Sequence, residues 1–309
     1  MKKTAFTLLI GMVLGIGGFL LWHPAGQPGE PLPPAIIENV QAFILPVSQA
    51  SYSPVRDFNI AEPDMKARAV LLIDAKSNRV LYAKNAEARL PIASITKLMS
   101  AMVILDHLDL GAMYEVSAED RNLDGMGADF ARGEKFLGAD LFKIMLVKSS
   151  NDAVSVFATT AYRQGLNFVG LMNEKAKALG MANTHFDDPA GLSDADTYST
   201  ATDVITMLRA AEAYPLIGEA LRSKEISITS EAGKGYRAIN TDQLLSTLSG
   251  IILGKTGNTT GAKGTLTLAV RVGDREDTLL AVVLGSDQRF VEMANLIAWG
   301  KKAHSWEQP

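Results

Sequence analysis

The order in which predicted strands and helices follow one another constrains the fold of this chain more than any other feature of the sequence. Two β-rich runs, residues 69–74 and 79–83, flank a short polar turn and predict a β-hairpin. Helical patterns fill the middle of the chain, and β-rich runs return only near its end. Strands joined as a hairpin imply an antiparallel sheet with helices packed on its faces. We therefore predict an α+β fold: an antiparallel β-sheet flanked by helices, plus a helical subdomain.

The individual segments follow from the spacing of apolar residues. The predicted helices cover residues 95–108, 139–147, 152–162, 169–179, 202–213 and 288–302. The later predicted strands cover residues 225–229, 250–254, 265–272 and 278–285, and we expect them to share one sheet with the first hairpin.

The N-terminus predicts export. Lys2 and Lys3 precede an uncharged apolar stretch, residues 5–22, which is long enough to cross a bilayer as a helix. We interpret residues 1–22 as a signal peptide or a membrane anchor. We favour the anchor, because His23 stands where a cleavage site needs a small residue. The two lysines would remain inside, so the rest of the chain is expected outside the cytoplasm, in the periplasm or at the cell surface.

Composition and charge indicate the domain organisation and exclude several kinds of function. Residues 23–65 begin with a proline-rich spacer and read as a linker and lead-in, and residues 66–304 as one folded domain. The 309 residues carry a net charge of -4, so no basic field is available to hold nucleic acid. The absence of cysteine excludes disulfides, a thiolate nucleophile and cysteine-based zinc sites.

Ser94 and Lys97 form the first candidate for chemistry. They stand three residues apart at the start of the first strong helical pattern, so their side chains can meet on one face. A serine hydroxyl needs a base to take its proton, and a lysine serves only when it is neutral. Alone, the pair reads more simply as a helix cap and a solvated lysine.

Two further motifs change that interpretation. Ser149, Ser150 and Asn151 lie between two predicted helices and offer a hydroxyl and an amide from one turn. Residues 255–257, Lys-Thr-Gly, follow an apolar strand and offer a cation, a hydroxyl and close backbone approach to an extended peptide. Each of the three patterns occurs once in the chain, in the contexts that such chemistry needs.

With these motifs the chain resembles the low-molecular-mass penicillin-binding proteins, that is, the D-alanyl-D-alanine carboxypeptidases and endopeptidases. The resemblance covers about residues 67–303 and rests mainly on residues 91–99, 149–153 and 254–259. It implies a β-lactamase-like transpeptidase fold and makes residues 66–304 a serine peptidase domain. Its implied partners are peptidoglycan stem peptides, with β-lactams as covalent inhibitors and the membrane through the N-terminal segment.

The resemblance also implies roles for individual residues. Ser94 would be acylated, Lys97 would take its proton, Ser149 would relay a proton to the leaving amine, and Asn151 would orient Lys97 or the substrate. The implied substrate-binding residues are Lys255, Thr256, Gly257, Asn258 and Arg289. Within this set Lys255 and Thr256 would hold the terminal carboxylate with Arg289 as a further contact, and the N–H groups of Ser94 and Asn258 would form the oxyanion hole.

Two other functions are alternatives to a peptidase. A β-lactamase of the kind that uses a Glu-x-x-x-Asn loop is disfavoured, because no glutamate between Asn151 and Lys255 has an asparagine four residues later. A non-catalytic peptidoglycan-binding protein has no need of the Ser94–Lys97 pair. Because the chain ends soon after its last predicted helix, we favour the endopeptidase branch modestly over the carboxypeptidase branch.

No cofactor and no metal are expected. His185 has several aspartates nearby, but their spacing fits neither a zinc helix nor a calcium loop. We therefore interpret this segment as a solvated acidic loop.

Overall fold

The computed structural model describes residues 53–121, 125–272 and 277–306. The predicted signal or anchor, residues 1–22, and most of the predicted linker lie outside the described residues. Within the described ranges, no helix is long and apolar enough to cross a membrane.

Eleven strands and seven α-helices occur in the described part of the chain, with short 3-10 helices at Ala93–Thr96 and Gln243–Ser246. The strands are β1 (Val55–Arg56), β2 (Ala69–Asp74), β3 (Val80–Lys84), β4 (Met113–Glu115), β5 (Lys135–Leu137), β6 (Glu225–Thr229), β7 (Gly235–Ile239), β8 (Ile251–Thr259), β9 (Lys263–Arg271), β10 (Thr278–Ser286) and β11 (His304–Ser305). The helices are α1 (Lys97–His107), α2 (Gly138–Val147), α3 (Asn151–Arg163), α4 (Phe168–Ala178), α5 (Ala201–Glu212), α6 (Pro215–Arg222) and α7 (Arg289–Ala303).

A five-stranded antiparallel sheet organises the molecule, with strand order β3-β2-β10-β9-β8. The first hairpin thus shares a sheet with the late strands, and the predicted α+β class is confirmed. The order leaves β8 at an edge, so one side of its backbone is available to an added strand.

Two apolar cores cover the two faces of this sheet. On β2 the side chains of Ala69, Leu71 and Ile73 enter the core shared with α1 to α6. Val70 and Leu72 enter the core shared with α7. This alternation follows from the period of two along a strand, and it explains why every residue of β2 is buried. Burying each large aliphatic side chain contributes about 1.5–3 kcal/mol.

The structure differs from the prediction at two strands. Residues 225–229 do form a strand, but β6 pairs with β7 in a separate hairpin and not with the central sheet. The tight turn between them, where the Ser230 N–H donates to the Lys234 carbonyl, makes that local pairing possible. Residues 255–257 lie within β8 and not after its end, because pairing with β9 continues to Thr259.

The end of the predicted lead-in packs on the domain. Val55 and Arg56 pair antiparallel with Ser305 and His304, respectively. Met65 is buried in the core beneath α7. The described part of this segment therefore brings the two ends of the folded unit together.

Candidate active site

Ser94 lies in the 3-10 helix that leads directly into α1. Behind it, the Thr265 hydroxyl donates to the Ile92 carbonyl (3.0 Å) and ties this turn to β9. On the other side Gly191, at φ +79, packs so closely that a Cβ there would collide with the Ala93 carbonyl. Ser94 is therefore held between the sheet and the loop that contains Gly191.

Lys97 is fully buried and contacts three oxygens. Its Nζ lies 2.8 Å from Ser94 Oγ, 2.7 Å from Asn151 Oδ1 and 3.1 Å from the Ala190 carbonyl oxygen. A neutral amine has two N–H donors and one lone pair. The Asn151 and Ala190 oxygens can only accept and so take both donors. The lone pair is left for the Ser94 hydroxyl hydrogen.

Burial favours this neutral form of Lys97. Removal from water lowers the pKa of Lys97 from 10.5 to about 7, and the nearby negative charge of Asp188 opposes that change. A substantial fraction of the amine is therefore unprotonated near neutral pH.

Asp188 was not singled out by the sequence reasoning, which interpreted its segment as a solvated acidic loop. Its carboxylate accepts the N–H groups of Ala190 and Gly191 at 2.7 Å, and those of Leu192 and Ser193 at 2.9 Å and 2.8 Å. These bonds curl the chain so that the Ala190 carbonyl meets Lys97. A carboxylate two to five residues before several loop N–H groups was the available signal.

The segment from Ser149 to Asn151 supplies the opposite wall. Ser149 has φ +61, a left-handed conformation that costs about 1–3 kcal/mol away from glycine. Ser150 Oγ caps α3 by accepting from the Ala153 N–H (3.2 Å), and Asn151 opens that helix. The Asn151 N–H donates to the Met126 carbonyl (2.8 Å). The strained turn thus directs Ser149 and Asn151 towards the two lysines.

Lys255 connects this wall to the sheet. It is buried on β8, and its Nζ lies 2.8 Å from Ser149 Oγ and 2.9 Å from the Thr256 carbonyl oxygen. Burial, reinforced by the positive charge of Lys97, lowers the pKa of Lys255 well below its usual value. Each lysine therefore contacts one serine, Lys97 contacting Ser94 and Lys255 contacting Ser149.

Beside Thr256 the cleft is polar and cationic. Thr256 Oγ1 and Thr241 Oγ1 are 2.6 Å apart, and Arg289 opens α7 beside them. Burial lowers the pKa of Arg289 and raises the pKa of Asp242. Asp242 caps the second 3-10 helix through the Leu244 N–H (2.9 Å), and its Oδ2 is buried without a hydrogen-bond partner. Asp242 was likewise absent from the predicted site.

Gly257 allows β8 to lie very close to the turn that carries Ser94. A Cβ at this position would lie 2.9 Å from the Ser94 nitrogen and 2.9 Å from the Ile92 oxygen. Any side chain would push β8 away from the turn that carries Ser94. The next residue, Asn258, is exposed and lines the cleft.

The nine residues predicted for the site therefore lie together. Seven of them line a cleft of about 390 Å³, and Lys97 and Lys255 lie directly behind it, bonded to Ser94 and Ser149. The seven are Ser94, Ser149, Asn151, Thr256, Gly257, Asn258 and Arg289. Such an arrangement can activate a hydroxyl, pass protons and hold a carboxylate with protein groups alone.

Comparison with known proteins gives consistent matches. A family model described as D-alanyl-D-alanine carboxypeptidase matches residues 56–288. The D-alanyl-D-alanine carboxypeptidase DacF of Bacillus subtilis is 31% identical over 226 residues, 72% of this chain and 58% of that protein. A D-alanyl-D-alanine endopeptidase of Escherichia coli is 31% identical over 245 residues, 77% of this chain and 78% of that protein.

Similarity extends to a solved structure. The DD-transpeptidase of Streptomyces K15 superposes with a TM-score of 0.72 at 26% identity, over 78% of this chain and 99% of that chain. The chain thus spans nearly all of this structure but less than two thirds of the carboxypeptidase DacF.

Proposed function

Because this chain belongs to the D-alanyl-D-alanine carboxypeptidase family, we propose that it is a serine peptidase that cleaves peptidoglycan stem peptides or their cross-links through an acyl-enzyme at Ser94. The observation that carries the proposal is the set of contacts around Lys97. Both N–H donors of the neutral amine have acceptors, so its lone pair is available to Ser94.

Acylation follows from these contacts. The Ser94 hydroxyl gives its proton to Lys97 Nζ while Oγ attacks the carbonyl of the penultimate D-alanine. The N–H groups of Ser94 and Asn258 stabilise the charge on the carbonyl oxygen. The proton reaches the leaving amine through Ser149, which Lys255 contacts at 2.8 Å, as the C–N bond breaks and the terminal D-alanine or the cross-linked strand departs. Water then attacks the ester while Lys97 takes a proton from that water, and the same proton passes to Ser94 Oγ as the ester bond breaks.

Substrate binding uses the cationic end of the cleft. A peptide extended along the free edge of β8 would bring its terminal carboxylate to Thr256 and Arg289. Asn151 orients Lys97 through its side-chain oxygen. Gly257 lets β8 pack closely against the turn that carries Ser94.

β-Lactams present an amide and a carboxylate in a similar arrangement, and we expect them to acylate Ser94. Among the described residues that line the cleft, Asp194 is the one with a carboxylate, and that carboxylate accepts hydrogen bonds from Thr259 and Gly261. A glutamate poised to activate water is therefore missing from that part of the lining, which supports a penicillin-sensitive peptidase over a β-lactamase.

Location belongs to the same proposal. A substrate in the cell wall requires an enzyme outside the cytoplasm, and the basic and apolar first 22 residues supply an export signal. We propose that this segment also tethers the enzyme to the cytoplasmic membrane.

The test compares the full chain with Ser94→Ala and with Ser227→Ala, an exposed serine on β6. Each is incubated with pentapeptide muropeptides and cross-linked dimers, and products are followed by mass. Ser94-dependent loss of a terminal alanine identifies a carboxypeptidase, and Ser94-dependent splitting of dimers identifies an endopeptidase. Unchanged substrates with all three proteins would refute the peptidase and favour a binding protein.

A further inference from the structure

The cleft is lined by a cationic and by an acidic side chain. Arg289 is assigned to the substrate carboxylate, whereas Asp194 accepts a hydrogen bond from Thr259 of β8. Asp194 has no role in the mechanism described above.

Asp194 is held in a fixed position. Thr259 Oγ1 donates to its Oδ1, and the Gly261 N–H donates to its Oδ2 (2.8 Å). A Cβ on Gly261 would lie 2.7 Å from the same Oδ2, so glycine is needed for this approach. Two accepted hydrogen bonds leave further lone pairs on the carboxylate, and the side chain is only partly buried.

The cationic side chains near Asp194 make contacts with other groups. The Arg68 guanidinium donates to the Gly261 carbonyl (3.2 Å), and Lys263 pairs with Asp287 (3.1 Å). Among the ion pairs of the described residues, none includes Asp194. Its carboxylate therefore lines the cleft with no positive side chain of the described residues at salt-bridge distance.

The register of β8 says which part of a substrate reaches Asp194. Gly257 lies against Ser94, and Thr259 lies two residues further, about 7 Å along the strand. With the terminal carboxylate at Thr256 and the reacting carbonyl at Ser94, the residue before the acylating D-alanine extends past Thr259 to Asp194.

We propose that Asp194 binds an ammonium group on the side chain of this preceding residue, so the enzyme selects stem peptides with a diamino acid carrying a free amine there. The inference rests on the proposed function, since it uses that direction of binding. A partly exposed ion pair contributes at most about 1 kcal/mol, so we expect a preference of about fivefold in kcat/KM.

The test uses two peptides that end in lysyl-D-alanyl-D-alanine, one with a free side-chain amine and one with that amine acetylated. Wild-type enzyme should cleave the free-amine peptide about fivefold better in kcat/KM, and the ratio should fall in high salt. Asp194→Asn should lower the ratio to about one by slowing the free-amine peptide alone. Asp196→Asn, an exposed change in the same loop, should keep the wild-type ratio.

Two results would overturn the inference: equal cleavage of both peptides by the wild type, or an unchanged preference in Asp194→Asn. The wild-type comparison does not depend on how well the variant folds. Labelling with fluorescent penicillin, expected to be equal in both proteins, reports an intact Ser94. If the wild type cleaves neither peptide, the proposed function fails for these substrates and the inference falls with it.

Discussion

Single residues in this site are held in states that they would not adopt in water. Lys97 and Lys255 are buried without a carboxylate partner, and Ser149 takes a left-handed backbone conformation. Each state has a local cost, and each brings a reactive group to the cleft. Stability and activity are therefore expected to respond oppositely when these residues are changed.

The ionisation of Lys97 should set the pH dependence of acylation. With a pKa of about 7, the amine is protonated below that pH and cannot accept the Ser94 proton. The rate constant for acylation by penicillin should therefore rise with pH through about 7 and then level off. A stopped-flow profile that stays flat between about pH 5 and 9 would contradict this assignment.

Lys97→Met should abolish acylation and alter the pH dependence of stability. The folded-state pKa of Lys97 is depressed, so below pH 10.5 the unfolded chain binds more protons at this residue. The wild type should therefore gain stability between about pH 7 and 10.5, by up to about 5 kcal/mol, and the variant should lack that gain. Urea unfolding at several pH values measures the difference.

The matched control is Lys143→Met, an exposed change on α2. Its free energy of unfolding should stay within about 0.5 kcal/mol of the wild type and keep the wild-type pH dependence. If Lys97→Met behaves in the same way, Lys97 is charged in the folded protein.

At the scale of secondary-structure elements, β8 combines two functions. It closes the sheet through β9, and its free edge forms one side of the cleft. Its position relative to Ser94 depends on the absence of a side chain at Gly257.

Gly257→Ala should reduce penicillin acylation by at least about 10²-fold. The added methyl group must displace β8 or the 3-10 helix, and such a shift disturbs the oxyanion donors. Gly235→Ala is the control, because on β7 a Cβ meets no atom within 4 Å. Equal labelling of the two variants would show that the close approach is unimportant.

Local patterns predicted most elements, and tertiary contacts decided the rest. Strands of the first hairpin and helices such as α1 and α5 follow from periodicity and end within a few residues of their predicted limits. The pairing of β6 with β7 was not predictable, because β-propensity does not determine which strand a given strand pairs with.

The candidate site shows the same division. Short motifs identified Ser94, Lys97 and Lys255, because their spacing is local. Asp188 and Asp242 act through loop N–H groups and buried charge, which appear only when the chain is folded. For Asp188 the sequence shows only that several loop N–H groups follow it, and not that the chain curls around its carboxylate.

At the scale of the whole molecule, one buried carboxylate, that of Glu292, connects α7 to the sheet by hydrogen bonds. Glu292 accepts the N–H groups of Lys66 and Ala67 and the hydroxyl of Ser286. It therefore joins the start of β2, the end of β10 and the helix that carries Arg289.

Glu292→Ala should lower the free energy of unfolding by about 2–4 kcal/mol, because buried donors lose their acceptor. Glu292→Gln keeps an acceptor and should cost less. Thermal unfolding measured by circular dichroism tests the order of the two variants, and an alanine variant as stable as the wild type would contradict it.

The site is assembled from segments far apart in the chain, which has a consequence for folding kinetics. Lys97 and Asn151 are separated by 54 residues, and Ser149 and Lys255 by 106 residues. Contacts at such separation form slowly, because long loops must close before the contacts stabilise them. During refolding from urea, helical circular dichroism should therefore recover before labelling by fluorescent penicillin, and simultaneous recovery would contradict this order. Penicillin would then label only those molecules in which all the distant segments of the site have come together. The acyl-enzyme therefore reports the last step of folding.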